Sequence, residues 1–275
     1  MPLALLPDRA VVAVTGADAS SFLQGLVTCN VETLPDGEAR LGALLSPQGK
    51  ILFDFLASRA PDGFHLDVAR EKAPDLLKRL TLYKLRAQVT VAALPLAVAA
   101  GWDGPAPSPS LRDGRLAELG WRLYAPEGEA PAADADATAY AAHRIGLGVP
   151  EAGIDFPLGD AFPHEALMDQ LGGVDFKKGC YVGQEVVSRM QHRGTARTRI
   201  VPLTYRDGEA APAGAAVSAG ERSLGQTGGG AGARGLAMLR IDRLGEALAA
   251  GETVSAGGRA ATVEKPVFAT FAWPG

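Results

Sequence analysis

The segment spanning residues 177–189 concentrates more potential chemistry than any other part of the chain. It reads Lys-Lys-Gly-Cys-Tyr-Val-Gly-Gln-Glu-Val-Val-Ser-Arg, and its Cys180 is one of only two cysteines in the sequence. Glycines on both sides let the backbone turn sharply and approach a bound group closely. Lys177 and Lys178 precede the thiol, and nearby positive charge favours the thiolate. A thiolate in such a setting acts as a nucleophile or as a ligand for a soft metal.

The elements around this thiol determine which interpretation holds. From Gln184 onward the spacing predicts a helix with Val186, Val187 and Met190 facing inward. Cys180 would then lie just before a helix N-terminus, where the positive end of the helix dipole stabilises an anion. The alternative is a structural turn in which the cysteine fills a small space. Local spacing alone leaves both interpretations open.

Three more polar residues follow the thiol closely. Glu185 and Arg189 are four residues apart, which is the spacing of an exposed helical ion pair. They would equally provide one acceptor and one cation for a polar heterocycle or a carboxylated ligand. His192 is a candidate base for Cys180, but no third group with suitable spacing completes a catalytic set. The sequence therefore favours a loose turn at residues 192–194 over covalent cysteine catalysis.

Composition excludes several classes of protein. At 275 residues the chain is long enough for two or three domains, and its net charge of −4 argues against a general nucleic-acid binder. Two cysteines without a Cys-x-x-Cys pair indicate a reducing compartment, so we expect a cytoplasmic protein. Four scattered histidines do not suggest a closed zinc site. The N-terminus resembles neither a secretory signal nor a transit peptide, and no apolar run is long enough to span a membrane.

Hydrophobic periodicity predicts an α+β protein with antiparallel sheets. We expect strands over residues 10–14, 42–45, 51–58, 64–69, 88–100 and 121–124, and helices over residues 21–27, 71–85 and 135–145. After residue 199 short strands alternate with glycine-rich turns, a pattern typical of a small closed barrel. The glycine run at 228–235 is interpreted as a hairpin loop, because neither the Lys-Ser/Thr pair nor the helix of a phosphate loop follows it.

The octapeptide Lys-Gly-Cys-Tyr-Val-Gly-Gln-Glu at 178–185 is similar to the signature of the folate-binding YgfZ family. The eukaryotic relatives of that family act in mitochondrial iron–sulfur protein maturation. Five other blocks resemble the family in the expected order, namely residues 22–31, 46–51, 144–150, 171–174 and 235–240. The signature is specific, whereas each other block alone is weak. Together they extend the resemblance over nearly the whole chain.

The resemblance implies a fold shared with the glycine-cleavage T-protein, an aminomethyltransferase. This is a three-domain cloverleaf in which two ferredoxin-like or related α+β units and a small C-terminal β-barrel surround a central channel for tetrahydrofolate. The implied domains are a discontinuous folate-binding domain (1–48 with 142–199), a ferredoxin-like α+β domain (49–141) and the barrel (200–275). The N-terminal block and the segment around Cys180 would then pack together.

The resemblance also implies a function and a site. Cys180 would be the functional thiol at the rim of the folate channel. The cofactor-binding residues would be Lys178, Gly179, Tyr181, Gly183, Gln184, Glu185, Arg189 and Arg86. The protein would bind tetrahydrofolate or a one-carbon-substituted folate and support iron–sulfur cluster assembly or repair, including iron–sulfur-dependent tRNA modification. Its partners would be iron–sulfur client or assembly proteins, with no direct nucleic-acid partner and no membrane.

Two other function classes stay open. One is a folate-dependent aminomethyl or one-carbon transferase, and the other is a non-catalytic adaptor. The transferase relies on an Asn-Ala strand end and a catalytic aspartate, but the matching region 66–72 contains no asparagine. Asp67, Glu71 and Asp75 are more simply a solvated strand end and helix N-terminal acids. Asn30 replaces the aspartate that ends the N-terminal block in the family, and we interpret it as a helix C-cap.

Overall fold

The computed structural model describes residues 2–194 and 196–274. Contacts divide the chain into two compact units, Met1–Tyr140 with Leu171–Glu185, and Ala141–Gln170 with Val186–Gly275. The chain thus leaves the first unit and returns to it with the segment that contains Cys180. The three-part division and the central channel implied by the resemblance stay predictions.

Fifteen strands and five α-helices are present in the described part of the chain. The strands are β1 (Leu3–Leu5), β2 (Arg9–Thr15), β3 (Glu38–Leu45), β4 (Ile51–Ala60), β5 (Gly63–Ala69), β6 (Thr90–Leu94), β7 (Leu96–Gly101), β8 (Leu111–Asp113), β9 (Trp121–Pro126), β10 (Thr198–Tyr205), β11 (Ala216–Ala219), β12 (Arg222–Ala231), β13 (Arg234–Arg240), β14 (Val254–Ala256) and β15 (Arg259–Val263). The helices are α1 (Ala19–Gln24), α2 (Ala73–Tyr83), α3 (Ala137–Leu147), α4 (Gln184–Arg193) and α5 (Ile241–Ala249).

The first unit is built on one nine-stranded sheet with the order β1-β7-β9-β8-β3-β4-β5-β2-β6. All its strand pairs are antiparallel except the short pair of β3 with β8. The paired strands β3 and β4 lie on either side of the boundary expected between residues 48 and 49. One face of β2, β4 and β5 packs against α1 and α2, where apolar residues recur at strand and helix spacing and form a continuous core.

The other face of the same strands carries buried charges. Asp67 is fully buried in β5, opposite Leu56 and Val11 on the neighbouring strands, and its Oδ1 accepts a hydrogen bond from Arg9 Nε at 2.7 Å. The interpretation of Asp67 as a solvated strand end is therefore wrong, because its face of the sheet is covered. Asp75 is exposed in the first turn of α2, as expected for a helix N-terminal acid.

The second unit contains a closed antiparallel barrel with the order β10-β13-β12-β11-β14-β15, which confirms the predicted small barrel. The glycine run belongs to the β12–β13 hairpin, and most of it is strand rather than loop. Gly229 N donates to Asp155 Oδ1 at 2.7 Å, and a Cβ at Gly228 would lie 2.5 Å from that oxygen. The glycines therefore allow close approach of a structural carboxylate.

No helix in the described ranges is long and apolar enough to cross a membrane.

Candidate functional site

The segment Leu171–Glu185 lies against the N-terminal block within the first unit. The Thr28 hydroxyl donates to the Gly173 carbonyl at 2.6 Å and accepts from Ala43 N at 2.9 Å. Asp175 N donates to the Thr28 carbonyl at 3.0 Å. These bonds join the segment to the loop after α1 and to β3. The expectation that the two sequence blocks pack together is confirmed.

Asp175 organises the start of the signature. Its Oδ1 accepts the backbone N–H groups of Lys177 at 2.7 Å and Lys178 at 3.1 Å, and its Oδ2 accepts from Asn30 Nδ2 at 3.0 Å. Burial acts to raise the pKa of this carboxyl, but the hydrogen bonds and the Lys178 charge outweigh it and leave the pKa below its ordinary value. The carboxylate is therefore ionised at neutral pH.

Asn30 has a role that differs from the interpretation as a helix cap. Helix α1 ends at Gln24, six residues earlier, so that interpretation is wrong. The side-chain Nδ2 of Asn30 donates to Asp175, and the side-chain Oδ1 of Asn30 accepts from Gln24 Nε2 at 3.1 Å. An aspartate at this position would place a second carboxylate beside Asp175 and could not donate while ionised. Asparagine is therefore favoured over aspartate at position 30, because its amide can donate a hydrogen bond to the Asp175 carboxylate.

Lys178 is bound to the N-terminal block. Its ammonium donates to the carbonyls of Val27 at 2.6 Å and Cys29 at 2.8 Å, and it lies 5.4 Å from the centroid of the Tyr181 ring. Burial lowers the pKa of Lys178 to about 8, although the thiol of Cys29 and nearby carboxylates act in the opposite direction. The sequence predicted that this lysine would stabilise the Cys180 thiolate, whereas both of its hydrogen bonds go to the N-terminal block.

The two cysteines occupy opposite environments. Cys29 is buried, and burial raises the pKa of its thiol to about 11. Gly42 on β3 leaves room for that side chain, since a Cβ there would lie 2.5 Å from Cys29 Sγ. Cys180 is exposed. A protonated buried thiol is inert, so Cys180 is the cysteine available for chemistry.

Gly183, Gln184 and Tyr181 hold the shape of the signature segment. Gly183 has φ +80°, and a Cβ there would lie 2.4 Å from the carbonyl oxygen of Ser46. Gln184 Oε1 accepts from Tyr181 N at 2.8 Å. The Tyr181 ring is buried, burial raises its pKa to about 12, and its hydroxyl has no hydrogen-bond partner among the described residues. The glycine therefore permits contact with the turn before β4, and the glutamine fixes the turn that follows Cys180.

The remaining predicted site residues are spread more widely. A Cβ at Gly179 would meet nothing within 4 Å. Glu185 is exposed in the first turn of α4, which confirms the predicted helix, while Arg189 lies one turn later and belongs to the second unit. Arg86 is exposed in the turn after α2. The structure thus groups Lys178, Tyr181 and the N-terminal block, and leaves Arg86 outside that group.

A pocket of about 390 Å³ opens beside this group, within the first unit. Its size falls in the range of small-molecule sites. The pocket is lined by Asn30, Arg40, Gly172, Val174, Asp175, Phe176 and Lys177. Sequence reasoning did not select most of these residues, although Asn30 is the chain's only asparagine and Asp175 lies three residues before the signature. Their proximity depends on the return of residues 171–185 to the first unit.

No three His, Cys, Asp or Glu side chains are grouped for metal binding in residues 2–194 and 196–274. Iron–sulfur clusters are usually held by four thiolates. One exposed cysteine therefore supplies only part of a cluster's ligands.

Comparison with known proteins identifies the family. Residues 197–271 match the family described as CAF17, C-terminal beta-barrel domain. The chain is 36% identical over 230 residues to the mitochondrial iron-sulfur cluster assembly factor IBA57 homolog of Mycosarcoma maydis, covering 74% of this chain and 57% of that protein. It is 31% identical over 276 residues to the mitochondrial iron-sulfur cluster assembly factor IBA57 of Homo sapiens, covering 87% of this chain and 77% of that one. The chain belongs to the IBA57 family.

The fold of the IBA57-family chain is that of the T-protein. The glycine cleavage system aminomethyltransferase T of Bartonella henselae superposes with a TM-score of 0.77 at 19% identity, covering 99% of this chain and 87% of that structure. This confirms the predicted α+β aminomethyltransferase fold with its C-terminal barrel. At this identity the likeness concerns the fold alone. The chain spans less than two thirds of the Mycosarcoma maydis relative.

The same relatives bear on two expectations. They carry the IBA57 name, and with the CAF17 barrel match this agrees with the wider family that the signature suggested, while the YgfZ label itself stays a prediction. They are also named as mitochondrial, so the predicted cytoplasmic location is wrong and a mitochondrial one is indicated. The cysteine argument failed because unpaired thiols indicate a reducing compartment without saying which one.

Proposed function

We propose that this IBA57-family protein supports iron–sulfur cluster assembly or repair through the thiolate of Cys180. The observation that carries the proposal is the exposure of Cys180 within a segment whose other motif side chains have structural tasks. Lys178 is bound to backbone carbonyls and Gln184 to the N–H of Tyr181. The segment is therefore held in shape while its one thiol faces solvent.

The proposed step is ligation. The Cys180 thiol loses its proton to solvent, and the sulfur donates an electron pair to an iron of a cluster, with no change in oxidation state. The other ligands come from a partner, either an assembly protein or a client enzyme, because one thiolate cannot complete a site that takes four. Clients would include enzymes that modify tRNA. The cluster is thus a shared cargo and not a resident cofactor.

Folate binding is a second part of the proposal, and the pocket beside Asp175 fits it. Asp175 and Asn30 would provide polar anchors, and Phe176 an apolar wall, while Arg40 and Lys177 would provide cations for a carboxylated tail. A bound reduced folate carries one-carbon units. The motif residues Lys178, Gly183 and Gln184 would support this pocket by fixing the segment, rather than through direct contact.

A folate-dependent one-carbon transferase is the alternative, favoured by the likeness to the aminomethyltransferase fold. Asp67, one of its candidate carboxylates, is fully buried and paired with Arg9. A catalytic carboxylate must reach its substrate. Asp75 is exposed but forms part of the first turn of α2. The accessory function is therefore the better-supported proposal.

The test is rescue of iron–sulfur enzyme activity in cells that lack the protein. We expect Cys180→Ser to lose most of the rescue, because serine replaces a soft thiolate with a hard hydroxyl. Loss of even an outer-shell group costs a metal site about tenfold or more in affinity, and loss of a direct ligand should cost at least as much. Cys29→Ser is the matched control at the buried thiol. If Cys180→Ser restores activity fully, the proposed ligation is wrong.

A fluorescence titration with tetrahydrofolate tests the second part independently. Asp175→Asn should raise the dissociation constant about tenfold, the change expected when a charge-assisted hydrogen bond is weakened. Asp136→Asn, at an acid outside the pocket, should leave it unchanged. Absence of folate binding by the unmodified protein would contradict the folate proposal and leave the Cys180 proposal standing.

A further inference from the structure

The exposed face of helix α2 and the turn that follows the helix carry two leucines that the fold leaves uncovered. Leu82 is 66% exposed and Leu85 is 87% exposed, the largest values among the large apolar side chains of the first unit. Helix α2 buries Leu76 and Leu80 against the sheet, and Leu82 lies on the opposite side. Folding therefore does not account for these two leucines, and single exposed apolar residues are ordinary only when they are scattered.

The backbone at Leu85 supports a specific role for that side chain. Leu85 follows the end of α2 with φ 41°, in the left-handed region that favours glycine at helix ends. A leucine there costs backbone energy and yet packs against almost nothing. Strained backbone positions cluster at functional sites such as ligand clamps and switch regions.

Basic residues surround the two leucines. Residues 70–86 contain six basic and two acidic residues, although the whole chain has a net charge of −4. Lys78 and Arg79 lie one turn before Leu82 on the exposed side of the helix, and Arg86 directly follows Leu85 in the turn after α2. Among the described residues Lys78 and Arg86 make no ion pair or hydrogen bond, and the Arg79 guanidinium lies 5.9 Å from the Tyr83 ring centroid. These cations therefore stay available to an acidic partner.

We infer that Leu82, Leu85 and the adjacent cations of α2 and the turn after it form a docking surface for an acidic amphipathic segment of a partner protein. The two leucines would anchor the apolar side chains of that segment, and Lys78, Arg79 and Arg86 would pair with its carboxylates. An apolar centre with a charged rim is the usual anatomy of a protein interface. The inference does not depend on the proposed thiol chemistry.

A protein partner fits this face better than an anionic membrane. Membrane-surface helices carry a broad apolar face with aromatic anchors and a uniformly basic polar face. Residues 70–86 contain neither Trp nor Phe, and the exposed Asp75 lies two turns before Leu82 on the same side of the helix. Two leucines offer little area for insertion into a bilayer, whereas they suffice as anchors for the apolar side chains of a partner segment.

Binding of a defined probe tests the inference. The probe is a fluorescein-labelled helical peptide with leucines at i, i+3 and i+4 spacing and glutamates beside them, and its counterpart has lysines in place of the glutamates. We expect the full-length protein to bind the acidic peptide in a salt-dependent manner. The double variants Leu82→Ser/Leu85→Ser and Lys78→Glu/Arg79→Glu should each raise the dissociation constant about tenfold or more.

Leu248→Ser provides the matched control, because Leu248 is an exposed leucine on α5 in the other unit. It should leave peptide binding unchanged, and all variants should keep the circular dichroism spectrum since the altered side chains are exposed. Equal binding of the two peptides, or unchanged binding by the double variants, would overturn the inference. Binding of phosphatidylglycerol vesicles through the same residues, without peptide binding, would also overturn the inference and would indicate a membrane-binding surface instead.

A photo-crosslinking residue at position 82 extends the test to cells, with position 248 as the control. Adducts at position 82 whose crosslinked peptides are rich in Asp and Glu would support the inference. Lipid adducts, or protein adducts no more frequent than at position 248, would contradict it.

Discussion

At the scale of single residues, the signature separates into one exposed reactive group and several residues that hold it. Lys178 connects the segment to Val27 and Cys29, and Asp175 binds the backbone just before the thiol. The partial burial of the Lys178 ammonium strengthens its two hydrogen bonds, because bonds between charged and polar groups gain strength where water is excluded. The residues around Cys180 therefore fix the position of its thiol in addition to providing a reactive group.

The lowered pKa of Lys178 gives a direct prediction. One of the seven lysine side chains should titrate at about pH 8 in an NMR experiment on the ¹³C-labelled protein, and this resonance should be absent from Lys178→Arg. The unfolded chain binds this proton up to about pH 10.5, so the Lys178 contribution to stability should rise between about pH 8 and 10.5. A midpoint near 10.5 for the missing resonance would contradict the burial of this ammonium.

Cys29 acts on stability in the opposite direction. The pKa of its thiol rises from 9.0 to about 11 on folding, so the folded state holds the proton more tightly. Its contribution to stability is full below about pH 9 and is lost as the pH rises towards 11. Between about pH 9 and 10.5 the two groups therefore oppose each other, and the NMR midpoint isolates Lys178 better than a stability curve does.

At the scale of elements, the signature segment meets the turn before β4. Ser46 N and Lys50 O form a hydrogen bond at 2.8 Å across that turn, and Gly183 approaches the Ser46 carbonyl. The close approach of Ser46 thus restricts position 183 to glycine, although the two residues are far apart in the chain. A side chain at position 183 has no space and the wrong backbone conformation.

Replacement of this glycine should therefore destabilise the protein. Gly183→Ala is expected to cost about 2 kcal/mol or more, from the left-handed backbone and the contact with Ser46. Gly179→Ala, where a Cβ would meet nothing, should change stability by less than about 0.5 kcal/mol. Urea unfolding followed by tryptophan fluorescence measures both. Equal midpoints for the two variants would show that the close approach at position 183 is not structural.

At the scale of the molecule, the first unit contains a buried set of charges between its sheet strands. Asp67 pairs with Arg9, and Asp113 accepts from Arg115 at 2.7 Å, while Arg122 lies within 3.9 Å of both carboxylates. Burial acts to raise the pKa of Asp113, but the Arg115 charge and hydrogen bonds outweigh it and lower the pKa below its ordinary value. These pairs join β2, β5, β8 and β9 across the sheet.

Removing one charge from this set should be costly. Asp67→Asn is expected to destabilise the protein by about 3–5 kcal/mol, because the buried Arg9 would lose its carboxylate partner and Arg122 would keep only Asp113. Asp75→Asn is the control at an exposed acid, where a loss of at most about 1 kcal/mol is expected from the helix dipole. The midpoint of thermal unfolding measures both. A loss at Asp67 no larger than at Asp75 would contradict the burial of that charge.

Much of the architecture was predictable because it depends on local periodicity. The predicted strands lie within or across observed strands, and the predicted helices at 71–85 and 135–145 coincide with α2 and α3 to within two residues at each end. The short strands β1 and β8, the glycine-rich strand β12, and helix α5 in the barrel unit were missed. Three-residue strands carry too little alternation to be recognised without their partners.

The sequence by itself determined the family signature, the barrel and the importance of Cys180, because each depends on residues close together in the chain. Tertiary structure decided which charges meet. It placed Asp67 inside the sheet, directed Lys178 to the N-terminal block, and brought Asn30 to Asp175 across 145 residues of chain. These outcomes follow from burial and long-range hydrogen bonds, which depend on the neighbours that folding supplies and not on local spacing.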